Sequence, residues 1–123
     1  MSVGASLVGI DEIMSGNVIA AFSFNRPPGH HATSDSGMGF CIYNHAAIAA
    51  RYLQKKYSLS RILIIDFDVH HGNGTQDIFY DDPSVFYFSI HQHPFYPGSG
   101  RPSEIGISDG EGFTLNVELP EGS

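Results

Sequence analysis

Two clusters in this sequence contain residue types that hold metals and move protons. The first is Asp66-Phe67-Asp68-Val69-His70-His71-Gly72-Asn73-Gly74, which closes the apolar run Ile62 to Val69. Acids inside such a run are costly unless they are paired or bound to a metal. If the run is a strand, its period of two sends Asp66, Asp68 and His70 to one side at the C-terminal end. Carboxylate and imidazole both ligate Zn²⁺ well, and a catalytic zinc takes three protein ligands and keeps one open position. Asp68 and His70 then supply two ligands. A blander reading makes one Asp a helix cap and the His a satisfied core residue. The extra acid at Asp66 and the Gly72-Asn73-Gly74 turn count against it. The second cluster, Arg26-Pro27-Pro28-Gly29-His30-His31-Ala32, puts tandem histidines on a proline-stiffened stretch, as metal ligands or as a proton-transfer pair. Its weight comes from the first cluster, which a shared sheet would bring alongside.

These clusters need elements to position them. Val3, Leu7, Ile10 and Met14 recur at helical spacing and predict an amphipathic helix closed by Gly16. Asn17 to Phe24 reads as a mostly apolar strand, and Asn25 to Gly39 as a long loop rich in Pro, Gly, Ser and His. Loops of that length in compact domains are often functional. Asn44 to Tyr57 predicts a second helix, with Asn44 as N-cap and Lys55 and Lys56 in the last turn. Ile62 to Val69 has the near-continuous apolar character of a buried parallel strand. Thr75 to Tyr80 reads as a short helix, and Val85 to His91 and Phe113 to Leu119 as further strands. The alternation predicts an α/β class with a largely parallel sheet, whose sites lie at the carboxyl ends of the strands.

Composition narrows the function. The 123 residues fit one domain, read here as spanning residues 1–123. Thirteen acids against six bases give a formal net charge of −7, which argues against a nucleic-acid or anionic-membrane partner. Cys41 is the sole cysteine, so no internal disulfide forms and a reducing, cytoplasmic setting is expected. No apolar run approaches the ~20 residues of a bilayer span, and no signal-peptide pattern opens the chain. The chain closes on Leu119-Pro120-Glu121-Gly122-Ser123, turn residues after a strand pattern, which suggests a fragment.

The segments RPPGHHA, GMGFCIYN, IDFDVHHGNGTQ, FSIHQ and FYPGSG, in this order and spacing, resemble the histone deacetylase and acetylpolyamine amidohydrolase family. The resemblance runs from about Phe22 to Ser123 and is nearest the class II and bacterial branch. It implies the arginase-deacetylase α/β fold, here as an incomplete domain. It also implies zinc-dependent removal of acetyl or other acyl groups from acetyl-lysine or an acylated small amine. By that resemblance Asp68 and His70 match two zinc ligands, and His30 and His31 the histidines flanking a metal-bound water. Asp66 matches the acid that orients His30, and Asn73 stands opposite His31. Gly39, Phe40 and Tyr96 match the acyl-lysine channel, while Asp66, Asp68, His70, Ser89 and Ile90 match a monovalent-cation site usually holding potassium. In the implied mechanism zinc polarises the acyl carbonyl and lowers the pKa of water toward ~7. His31 acts as general base and then acid, and His30 stays more cationic beside Asp66.

The family's third ligand, a downstream aspartate, and its oxyanion-stabilising tyrosine have no match here. Asp109 and Glu111 lie in a glycine-rich turn of a different context. The expectation is that this chain alone has little or no deacetylase activity. Two other functions compete. An arginase-like binuclear manganese hydrolase would want an acid two residues beyond His70, where this chain has Gly72. A non-catalytic binding module of the same fold would explain the missing groups but not the intact histidines.

Overall fold

The computed structural model describes residues 2–123. The helices are α1 (Ser2–Met14), α2 (His45–Tyr57) and α3 (Asn73–Ile78). The strands are β1 (Ile62–Asp66), β2 (Val85–Gln92) and β3 (Thr114–Leu119), with a 3₁₀ turn at Ser108–Gly110 ahead of the last. Both strand pairings are parallel, in the order β1-β2-β3, so the α/β expectation holds.

Strand β2 shows how the sheet is oriented. Val85, Tyr87, Ser89 and His91 are buried, and the residues between them are partly exposed, as a period of two demands. The buried set faces the helices. Ala47 and Ala50 of α2 pack with Phe79 and Val85, and Ile62, Ile64 and Ile78 close around them. On the opposite face Leu63, Ile65 and Leu115 remain exposed. The α1 helix buries no residue fully and is tied to α2 through Asp11, which accepts from the Tyr52 and Tyr57 hydroxyls and the Lys56 ammonium.

Five expectations need correction. Residues 17–24 form no strand, and Ile19, Phe22 and Phe24 are almost fully exposed. An apolar run becomes a strand only where a neighbouring edge takes its backbone bonds, and none does so here. Strand β1 ends at Asp66 instead of Val69. Asp66 Oδ1 accepts the Asp68 N–H, and Asp68 Oδ1 accepts the His70 N–H, so successive side-chain turns bend the chain off the ladder. Nor is β1 buried on both faces, since Leu63 and Ile65 are more than half exposed. Helix α3 begins earlier than predicted, at Asn73, and β2 runs one residue further, to Gln92.

Candidate active site

The tandem histidines sit on a loop with no regular structure, yet the loop is pinned at several points. Asn44 caps α2 by accepting the Ala47 N–H at 3.0 Å, and its amide donates to the Ala32 carbonyl and the Thr75 hydroxyl. The Thr75 N–H donates to the His30 carbonyl at 3.1 Å. One asparagine side chain thus fastens the histidine loop to two helix starts. Gly74 completes the fit, because a Cβ there would collide with the Ala32 and His31 backbone.

Each histidine commits one ring nitrogen to a different partner. His30 Nδ1–H donates to Asp66 Oδ2 at 2.9 Å, and His31 Nδ1–H donates to Asn73 Oδ1 at 2.8 Å. Burial alone would lower the pKa of His30, but the hydrogen bond and charge of Asp66, with Asp68 beyond, outweigh it and raise the value. Burial, the largest effect, lowers that of His31; the Asn73 hydrogen bond and more distantly Asp68 oppose it, and the nearby His30 and His70 add to the lowering. A carboxylate partner favours the cation more strongly than a neutral amide does. His30 therefore tends to the charged form, and His31 keeps a basic Nε2.

Asp68 and His70, expected on a strand, lie on the turn that follows it. Their donor atoms still converge, with Asp68 Oδ1 and His70 Nδ1 3.0 Å apart. Two ligands at ~2.0–2.1 Å on one tetrahedral zinc would stand about 3.3 Å apart, close to this spacing. The fit is incomplete, because no group of three His, Cys, Asp or Glu able to hold a metal occurs among the described residues. His30 Nε2 lies 3.8 Å from Asp68 Oδ1, which brings the histidine pair to the edge of this half-site. Of the expected monovalent-cation set, Asp66 and Ser89 are direct register partners, and Ile90 follows on the same strand.

A cavity of about 570 Å³ opens over these groups, lined by Pro28, His30, His31, Gly39, Phe40, Asp68, His70 and Tyr96. The structure thus brings Gly39, Phe40 and Tyr96 to the same opening as the histidines. Phe40 has φ +64°, a backbone region a bulky residue adopts only at some strain, and its ring is exposed. Gly39 is required beside it, since its φ is +55° and a Cβ would strike the His31 ring.

Three residues were missed from sequence. Phe95 stacks on the His70 ring, with centroids 4.9 Å apart. Cys41 accepts the His31 N–H at its sulfur. Tyr87, fully buried on β2, places its hydroxyl 3.2 Å from Asp66 Oδ2, and burial with the Asp66 charge keeps that phenol protonated. Phe95 directly precedes Tyr96, and that adjacency is the sequence signal for it. Tyr87 sits in an apolar strand and nothing in its spacing points to Asp66.

A family model described as the histone deacetylase domain matches residues 1–123. Histone deacetylase 10, chloroplastic, of Oryza sativa subsp. japonica is 47% identical over 128 residues, covering 100% of this chain and 29% of that protein. Human histone deacetylase 7 is 57% identical over 99 residues, 78% of this chain and 10% of that one. The crystal structure of the HDA15 HD domain superposes with a TM-score of 0.91 at 45% identity, covering 95% of this chain and 33% of that chain. The chain therefore spans less than a third of the rice protein and a third of the solved domain chain. Matched by the family model along its whole length, the chain belongs to the histone deacetylase family, as a segment of the catalytic domain.

Proposed function

We propose that the protein carrying this chain is a zinc-dependent deacylase acting on acetyl-lysine in proteins or on a related acylated amine, with residues 1–123 forming part of one catalytic domain. The observation that carries the reading is the convergence of two differently partnered histidines and the Asp68–His70 half-site on one cavity. Zinc held by Asp68, His70 and a third ligand would supply Lewis acidity toward the amide carbonyl and toward water. His31 Nε2, unprotonated near neutral pH, takes the proton from the attacking water and returns it to the leaving amine. His30, biased toward the cation by Asp66, stabilises developing negative charge. Phe40 and Tyr96 line the same cavity and would flank the approaching acyl group. Potassium at the Asp66–Ser89 corner would stiffen the turn bearing Asp68 and His70. The buried, unpaired Cys41 supports a reducing, cytoplasmic setting.

The test uses the full-length gene product loaded with zinc. It is expected to hydrolyse an acetyl-lysine peptide, to lose activity on chelation and to regain it with zinc. Asp68→Asn should lower zinc content, and His31→Ala should lower kcat by about 10²-fold or more. A zinc-loaded protein that cleaves neither acetyl-lysine peptides nor acetylated small amines would refute the reading. Residues 1–123 alone should turn over little, because two ligands bind zinc weakly and a lost oxyanion donor costs about 10²–10³ in rate.

A further inference from the structure

The geometry points to Tyr87 as a positioning residue that locks the His30–Asp66 pair and links it to the turn carrying Asn73. This rests on the deacylase reading above and goes one layer deeper into the same site. Tyr87 is wholly inaccessible to solvent, on the helix-covered face of the central strand. Its hydroxyl lies 3.2 Å from Asp66 Oδ2 and 3.2 Å from the Gly72 carbonyl. Asp66 Oδ2 is the same oxygen that receives the His30 Nδ1–H at 2.9 Å, while Oδ1 takes the Asp68 N–H.

Each of these bonds has a separate job. The Asp68 amide and the His30 imidazole both belong to loop segments, so neither anchors the carboxylate to the sheet. Tyr87 does, because its backbone is fixed in ladders to both β1 and β3. The hydroxyl also abuts Gly72, the residue before Asn73, which holds His31. A Cβ at Gly72 would collide with Asp66 Oδ2 and crowd the Tyr87 hydroxyl and His30 Nδ1, so the packing leaves the pair no slack. The buried phenol thus joins Asp66, the support of His30, to the residue preceding Asn73, the support of His31. It meets neither the cavity nor the Asp68–His70 half-site, so its effect on the reaction passes through Asp66 and Gly72.

Tyr87→Phe removes the hydroxyl and leaves the ring. In the full-length zinc-loaded gene product, kcat on an acetyl-lysine peptide should fall about tenfold with KM within about twofold, the lower range for losing an outer hydrogen-bond partner. In an Asp66→Asn background the same change should add less than about twofold, because the two act as one unit. Equal losses in both backgrounds, or an unchanged kcat, would overturn the inference. If the unmutated protein shows no turnover, the deacylase reading fails by itself and Tyr87 is judged by the His30 imidazole N–H proton resonance. Faster solvent exchange of that proton in Tyr87→Phe supports the lock, and an unchanged signal overturns it. Should the variant not fold, a ring-fluorinated tyrosine at position 87 keeps the shape and strengthens the donor. A shift of the His30 proton then supports the inference, and its absence overturns it.

Discussion

At the scale of single residues, adjacent and chemically identical side chains are separated by what stands behind them. Burial lowers both imidazoles, but His30 backs onto a carboxylate that outweighs it and raises its pKa, while His31 backs onto an amide too weak to do so and stays below the ordinary imidazole range. The arrangement leaves little room, and Gly72 is where that shows. Gly72→Ala would press a methyl group among Asp66, Tyr87 and His30. Overpacking of this kind typically costs about 1–3 kcal/mol. Because the strain falls on the histidine pair, activity should drop more than stability does. Thermal melts and steady-state kinetics on the full-length gene product check this, with a variant of normal kcat and lowered melting temperature as the contrary result.

At the scale of elements, the loop between β2 and β3 must hold Phe95 and Tyr96 against His70 and His31. It is braced from below by buried polar groups. Glu104 accepts the Gly100 and Arg101 N–H groups and the Gln76 amide, and Gln76 in turn accepts from His71 and Asn116. His71 also meets the Ser99 hydroxyl, and burial beside His91 pushes its pKa down to about 4, which keeps it a neutral partner. Burial would raise the Glu104 pKa, but its amide donors outweigh that and hold it below the usual carboxylate value of 4.5. A carboxyl depressed in the folded state stabilises above its unfolded pKa and loses that contribution as pH falls through the folded one. The loop should therefore loosen in acid below about pH 4.5. Glu104→Gln should show faster amide exchange near Gly100 at neutral pH and a smaller further loosening in acid, the remainder coming from protonation of His71. An acid effect of undiminished size in that variant would place the Glu104 contribution elsewhere.

At the scale of the molecule, helices cover one face of the sheet and leave the other open. Leu63, Ile65 and Leu115 are exposed there, and Phe67, Val69 and the extended Phe22 and Phe24 add apolar surface. Monomeric soluble proteins rarely expose contiguous apolar area beyond a few hundred Å². Residues 1–123 produced alone should bind a hydrophobic dye strongly and self-associate despite the net charge of −7. Changing Leu63, Ile65 and Leu115 to polar residues should reduce both effects, as dye fluorescence and sedimentation would show. A monodisperse, dye-silent chain would mean that the face is covered in some other way.

The sequence by itself determined the class, the helices and the parts of the site written in local patterns. Asn44 as a cap, the strand over Val85 to His91 and the motif residues His30, His31, Asp66, Asp68 and His70 were legible because helix, strand and turn preferences are short-range. Residues 17–24 look like a strand by composition, and only the tertiary structure decided that no edge lies beside them, since a ladder needs a partner. The turns at Asp68 and His70 likewise depend on side chains bonding backbone two residues on, which overrides the strand periodicity of 62–69. The structure alone joins Tyr87 to Asp66 and Glu104 to Gln76, across 21 and 28 residues of chain. Register between strands and the packing of loops on the sheet bring such groups together, and neither leaves a periodic trace along the chain.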